Sequence, residues 1–286
     1  MVHTDNVLRA ITDDGAFRVI AADTTAMVRQ AIESQQPASI DLSKIFGELL
    51  TGAVLVRESM APDHRLQVVL QGDDARVRMV ADTHPDGATR GLVQAPADVR
   101  SMPLGERGLL QVARTLNNGS LHQGVVQVPG KGTVSAAFMA YMQESEQVVT
   151  MIALGAHVVG GEIAASGGYM VQLLPEVEEG PLAVMTERLR DFEDIVPLLA
   201  RGAGSPQELV RETLYGMPFT TVGDNTVHFG CRCSPDRLAI SLASLPRADI
   251  ESLMSDGKTL EIECDYCRKK YEFTQAQLKQ LLEAPN

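Results

Sequence analysis

No run in this chain approaches the roughly 18 consecutive apolar residues that a membrane-spanning helix requires. The N-terminus, Met1-Val2-His3-Thr4-Asp5-Asn6, lacks a basic stretch followed by an apolar one. The expectation is a soluble, cytoplasmic protein with no membrane partner. Positive charge is scarce: 25 Lys and Arg stand against 37 Asp and Glu, for a formal net charge of -12. A field of that sign repels phosphate and argues against nucleic acid as a partner. None of the 4 cysteines precedes residue 231, which excludes a secreted framework of disulfides stapling the whole fold. The histidines are scattered with no G-x-S-x-G nucleophile motif, and no carboxylate pair can be assigned to a cleft, so nothing marks an enzyme.

What is present is material for a substantial core. At 286 residues and 44% hydrophobic content the chain suits one large domain with a smaller one. Phe17-Arg18-Val19-Ile20-Ala21-Ala22-Asp23 reads as a strand, with Thr24 placed to cap a helix that stops at Pro37. Leu42, Ile45, Phe46, Leu49, Leu50, Ala53 and Val54 recur at helical spacing and predict an amphipathic helix with sheet over its apolar face. Arg65 to Gln71 and Ala75 to Val80 flank Gly72-Asp73-Asp74 as a hairpin. Strand patterns follow at His122 to Val128, Gln147 to Leu154 and Ile163 to Leu174, with a helix over Val134 to Ser145. The fold class is α+β: an N-terminal sheet-and-helix domain over 1–178, a helical linker over 179–226 and a small C-terminal module over 227–286 that carries all four cysteines.

Past Pro175 the texture changes to Glu176-Val177-Glu178-Glu179-Gly180-Pro181. From Glu176 to Glu212 nine acidic residues accompany four Arg. Narrow apolar stripes such as Leu182, Met185, Leu189 and Phe192 make these helices dependent on docking against a neighbour. A solvated acidic connector and a releasable linker are both compatible with this pattern. If the linker is released, those four side chains are candidate client or dimer contacts.

Cys231-Arg232-Cys233 and Cys264-Asp265-Tyr266-Cys267 form a C-x-C and a C-x-x-C pair, and four thiolates in two close pairs suit one tetrahedral zinc per chain. Ser234-Pro235 predicts a helix start, Asp256-Gly257 a stop, and Thr274-Gln275-Ala276-Gln277 a capping box. The short stretch from Cys231 to Asn286 is marginal on an apolar core alone and calls for a metal. A plain zinc ribbon acting as a constitutive adaptor fits this spacing. A nucleic-acid-binding ribbon fits poorly, because residues 231–286 hold eight Lys or Arg and nine Asp or Glu. A thiol-disulfide oxidoreductase is disfavoured because Cys264-x-x-Cys267 lies between strand patterns rather than at a helix start. Zinc-held thiolates remain potential nucleophiles, so oxidation to disulfides that ejects the metal is also open. Two weaker signals are set aside: Gly124 to Gly132 departs from a phosphate-binding loop and reads as a hairpin turn, and His228 reads as a strand-end residue. Gly160-Gly161 and Gly167-Gly168 read as bends or turns.

Cys231, Cys233, Ser234, Arg237, Cys264, Tyr266 and Cys267, with Tyr141, Ser145-Glu146-Gln147 and Gly167-Gly168-Tyr169 through Pro175 upstream, resemble the redox-regulated chaperones of the thirty-three-kilodalton heat-shock protein family. Met142 departs from the aromatic residue often found there. The resemblance implies a stress-response holdase that needs no ATP, zinc-bound and inactive when reduced, and active after disulfide formation, zinc release and linker unfolding. It implies disulfides Cys231-Cys233 and Cys264-Cys267, binding of unfolding client proteins, a homodimer when active, and handover of clients to ATP-dependent chaperones.

Overall fold

The chain forms, in order, β1 (Asn6–Thr12), β2 (Phe17–Asp23), α1 (Thr25–Gln35), α2 (Ile40–Glu58), β3 (Arg65–Gln71), β4 (Arg78–Thr83), β5 (Ala88–Gln94), β6 (Leu109–Thr115), β7 (Leu121–Gln127), α3 (Val134–Glu144), β8 (Thr150–Val159) and β9 (Glu162–Leu173). It continues with α4 (Glu179–Asp191), α5 (Val196–Ala200), α6 (Pro206–Thr213), β10 (Phe219–Thr226), β11 (His228–Phe229), α7 (Pro235–Ala243), α8 (Arg247–Met254), β12 (Leu260–Glu263), β13 (Lys270–Phe273) and α9 (Gln275–Glu283). This computed structural model describes residues 4–116, 118–130, 132–175, 179–255 and 257–283. Lys131, Glu176-Val177-Glu178 and Asp256, on which sequence expectations fall, lie outside the described residues. Two compact units, Met1–Gly230 and Cys231–Asn286, divide the chain.

In the first unit, a five-stranded sheet runs β10-β1-β2-β9-β8 and a six-stranded sheet runs β11-β5-β4-β3-β6-β7. All pairings are antiparallel except the short β11–β5 contact. Helix α2 packs on β2, β8 and β9 of one sheet and on β3, β4 and β5 of the other. Burial from both sides explains why Leu42, Phe46, Leu49, Leu50 and Leu55 are all fully enclosed rather than forming a one-sided stripe. Ser39 caps the helix, its Oγ accepting from the Leu42 N–H at 3.2 Å. Gly52 lets α3 approach closely: a Cβ there would lie 2.2 Å from the Phe138 ring.

Thr24 precedes α1 as expected, but its side chain does not cap the helix. Its hydroxyl is instead buried 2.7 Å from that of Thr51 on α2. Asp5 takes over, its carboxylate accepting from the N–H groups of Ala26 at 3.0 Å and Met27 at 2.6 Å, where a helix N-terminus favours negative charge. The helix ends at Gln36, in a left-handed conformation (φ 46°) just before Pro37.

The hairpin of β3 and β4 pairs Gln71 with Arg78, so the second strand begins later than its sequence pattern suggests. Two glycine readings need correction. Gly160-Gly161 is the turn joining β8 to β9, but Gly167 and Gly168 lie inside β9. A Cβ at Gly167 would press on the Ala22 carbonyl and one at Gly168 on the Ala153 carbonyl. Gly124 to Gly132 spans the end of β7 and the connection to α3 rather than a hairpin turn. The cause is the helix start: Thr133 caps α3, accepting from the Ala136 N–H at 3.1 Å.

The five-stranded sheet is apolar on both faces, as β2 already shows with Val19 and Ala21 on one side and Ile20 and Ala22 on the other. Ile20, Ile152 and Met170 join the α2 core, whereas Leu8, Phe17, Val19, Tyr169 and Val171 face a second core. That second core is closed by Met185, Ile195, Leu198, Leu199, Leu209, Val210 and Leu214 from the α4 to α6 segment. Tyr169 Oη donates to the Phe192 carbonyl at 2.9 Å, and Arg188 Nη1 donates to the Thr213 carbonyl at 3.0 Å. Strand β10, with most side chains exposed, completes the cover along β1 from Asn6↔Thr226 to Thr12↔Phe219.

The second unit surrounds a small core of Leu242, Cys264, Tyr271, Phe273 and Leu278. Helices α7 and α9 start where the sequence expects. Ser234 Oγ accepts from the Arg237 N–H at 3.2 Å. Thr274 and Gln277 cap reciprocally, Thr274 N–H donating to Gln277 Oε1 at 2.9 Å and Gln277 N–H to Thr274 Oγ1 at 3.4 Å.

Candidate metal centre

Two local structures converge to make the site. Cys231 and Cys233 occupy the segment before α7, which the Ser234 cap holds together with a hydrogen bond from Arg237 Nη1 to the Arg232 carbonyl at 3.0 Å. Cys264 and Cys267 occupy the turn between β12 and β13, the strand context read from the sequence. That turn is closed by Cys264 N–H to Lys269 O at 2.9 Å and Arg268 N–H to Cys264 O at 2.8 Å. Arg268 takes a left-handed φ of 59° to close it.

The four sulfurs all lie within 4.8 Å of one another. Cys231 Sγ is 3.7 Å from Cys264 Sγ, and Cys233 Sγ is 3.4 Å from Cys267 Sγ. Tetrahedral zinc–sulfur bonds of about 2.3 Å place sulfurs roughly 3.8 Å apart, so the cluster has the dimensions of one ZnS4 shell. The sulfurs are also far outside bonding distance of one another, and none of the four cysteines is in a disulfide. Among the described residues no other group of three or more His, Cys, Asp or Glu has this geometry, and His228 is not part of it.

Electrostatics agree with a cation at the centre. Burial pushes the thiols of Cys264 and Cys267 upward, and neighbouring sulfurs add to that shift. Backbone N–H groups oppose it, those of Cys267 and Tyr266 at Cys264 and that of Lys269 at Cys267. Left to themselves, these two thiols resist ionisation. A divalent cation reverses the balance, because a coordinating thiol is deprotonated outright. The donor set therefore fits zinc.

Tyr271 is absent from the residues singled out in the sequence. It is buried, and its hydroxyl lies 3.1 Å from Cys233 Sγ and 3.2 Å from the Cys233 carbonyl. Strand alternation over Lys270-Tyr271-Glu272-Phe273 was the available signal, since it turns Tyr271 and Phe273 inward together. The linker residues lie within the first unit. Met185 is buried, Leu189 and Phe192 pack partly buried against the second core of the five-stranded sheet, and Leu182 is 38% exposed.

Residues 5–274 match the family model described as Hsp33 protein. The chain is 30% identical to the 33 kDa chaperonin of Syntrophotalea carbinolica, over 97% of this chain and 99% of that one. It is 29% identical to the 33 kDa chaperonin of Shouchella clausii, over 98% and 97% respectively. A crystal structure of a 33 kDa chaperonin from Thermotoga maritima superposes with a TM-score of 0.84 at 21% identity, covering 98% of each chain. These relatives are named as chaperonins rather than enzymes, and no helix among the described residues is long and apolar enough to cross a membrane. With the family model spanning nearly the whole sequence and the four-cysteine cluster in place, the chain belongs to the Hsp33 family of chaperones.

Proposed function

We propose that this protein is a cytoplasmic, ATP-independent holdase that is inactive while Cys231, Cys233, Cys264 and Cys267 hold one zinc ion and is activated when they are oxidised to disulfides. The observation that carries this reading is a sulfur cluster of zinc dimensions set into a five-residue core to which Cys264 itself belongs. A zinc ion bound there would keep the sulfurs as thiolates and supply the cross-link that so small a core lacks.

Peroxide supplies the oxidant. One thiolate attacks it: a sulfur–oxygen bond forms, the oxygen–oxygen bond breaks, and hydroxide leaves. A neighbouring thiolate then displaces hydroxide from the sulfenic acid and forms the S–S bond. Each disulfide thus passes two electrons to one peroxide. The resemblance to the family supports the pairs Cys231-Cys233 and Cys264-Cys267, which together leave no sulfur able to ligate. The resemblance to the family further supports release of the α4 to α6 segment once the second unit loses its order.

That release would uncover Leu8, Phe17, Val19, Tyr169 and Val171 on the five-stranded sheet, together with Met185, Leu189 and Phe192 from the segment itself. Adjoining apolar surface of this kind suits unfolding client proteins. The family resemblance further supports a homodimer in the active state and handover of clients to ATP-dependent chaperones.

The test is to follow zinc content and aggregation of a chemically unfolded protein, with and without peroxide at raised temperature. The expected result is one zinc per reduced chain and suppression of aggregation only after oxidation, with Cys264→Ser losing the switch. Suppression that is unchanged by peroxide would leave a constitutive zinc-binding adaptor or chaperone and defeat the proposal.

A further inference from the structure

The four sulfurs do not share one environment. Backbone N–H groups approach Cys264 and Cys267 within their tight turn. Cys233 has a side-chain donor, the Tyr271 hydroxyl at 3.1 Å, delivered from the middle of β13. The ring is held from below by the small core it shares with Leu242, Phe273 and Leu278. Lys269 Nζ stands 5.3 Å from the ring centroid. A cation over the ring withdraws electron density and makes the phenol O–H a stronger donor. The hydroxyl has one proton and two acceptors in reach, the Cys233 sulfur at 3.1 Å and the Cys233 carbonyl at 3.2 Å; once Cys233 is a thiolate, the charged sulfur is the stronger acceptor and draws the larger share of it.

We infer that Tyr271 is a positioning residue that protects Cys233, its hydroxyl drawing charge from that sulfur and so making it a poorer nucleophile than it would otherwise be. Outer hydrogen bonds to metal ligands orient them and tune their basicity, and thiolate reactivity toward an electrophile follows sulfur charge and access. Tyr271 lowers both at Cys233, because its hydroxyl oxygen, 3.1 Å away, also occupies one line of approach to the sulfur. The reactivity of the cluster is therefore graded by the fold rather than shared equally among four ligands. This inference rests on the zinc-holding reading of the site.

The experiment uses the reduced, zinc-loaded full-length protein and N-ethylmaleimide. A thiolate adds to the maleimide double bond, forming a carbon–sulfur bond while the adjacent carbon takes a proton from water. Zinc release is followed with a chromophoric chelator, and early adducts are located by mass spectrometry. Zinc stoichiometry is measured first; a protein without zinc would defeat the functional reading before this one is engaged.

Tyr271→Phe keeps the ring and removes only the donor. The expected result is maleimide-driven zinc release faster by roughly 3- to 10-fold, the worth of one such hydrogen bond, with Cys233 rising in the order of labelling. Release to chelator alone is expected to stay unchanged. An unchanged labelling order, or acceleration by the same factor with chelator alone, would mean a merely structural role and overturn the inference. Lys269→Gln leaves the hydroxyl and core intact and is expected to move Cys233 labelling in the same direction by about 2-fold. If Tyr271→Phe fails to retain zinc, the Lys269→Gln labelling pattern decides, and no change at Cys233 would overturn the inference.

Discussion

The two units of this chain bury apolar surface on very different scales. In the first, α2 alone contributes Leu42, Phe46, Leu49, Leu50 and Leu55 to a core closed by sheets on both sides. In the second, the buried cluster is Leu242, Cys264, Tyr271, Phe273 and Leu278, with Ile250 on α8 also buried, and one of the cluster's five residues is a proposed ligand. A core of that size supplies at most a few kcal/mol against the entropy of ordering its chain. The first unit is thus stable by packing, while on the proposed reading the second depends on a metal held by its four sulfurs. A chemical event at those four atoms would then unfold the second unit and, in the first, free only the α4 to α6 segment.

The largest effect that would break this comparison comes from metal removal. Stripping zinc from the reduced protein is expected to remove about 10–16 kcal/mol of binding free energy from the second unit, more than its whole stability. Circular dichroism should then lose the α7 to α9 signal while the thermal transition of the first unit persists. Retention of the full helical signal would show that packing alone holds the second unit.

A change confined to the first unit should sharpen the contrast. Asp82 is fully buried between Arg65, with contacts of 2.6 and 2.9 Å, and Arg90 at 2.9 Å. His84 Nε2 stands 3.6 Å away, too far for a hydrogen bond but close enough to act as a charge when protonated. Burial pushes the Asp82 carboxyl up. His84, Arg65 and Arg90 together more than reverse this and hold it well below the usual carboxylate range. A depressed carboxyl contributes stability that is fully present above its unfolded value of about 3.9 and is lost as pH falls toward the folded value. Asp82→Asn is expected to cost about 3–5 kcal/mol at neutral pH, since it leaves two arginines facing a neutral partner. It should also flatten the loss of first-unit stability below pH about 4, measured by denaturant titration across pH. Zinc content should be unaffected.

Met185→Ala addresses the segment closing the sheet's second face. Met185 is the buried residue of α4, and its truncation is expected to cost about 2–4 kcal/mol locally. Hydrogen exchange should show protection lost across 179–191 while β2 and β9 keep theirs. Global unfolding instead would mean that this helix is integral to the first unit rather than a releasable cover. The smallest effect, about 1 kcal/mol, is expected for Thr274→Ala, which removes half of the α9 capping box. Because the second unit has so little core, this should appear as unfolding of that unit at a measurably lower chelator concentration.

Much of this was legible in local sequence. Phe17–Asp23 is a strand at the bounds read from its residues. The Ser234 and Thr274 caps form as their motifs predict, and the two cysteine pairs meet. Local signals failed where pairing is remote or exposure hides periodicity. Phe219–Thr226 has mostly exposed side chains and carries no inward stripe, so its place beside β1 is set by a partner some two hundred residues away. Gly167 and Gly168 resemble a bend because glycine usually marks one, yet here they answer to close packing across β9. Tyr271 looked like an ordinary strand aromatic, since hydrogen bonding to a sulfur 38 residues earlier leaves no trace in spacing.

Hydrogen exchange on the zinc-loaded reduced protein and on the same protein after peroxide tests the division of stability most directly. The account predicts that protection is lost across 231–283 and 179–213, while β3, β4 and β6 exchange as slowly as before. Unchanged protection in 231–283 after both disulfides have formed would contradict it, as would equal loss in every strand of the first unit.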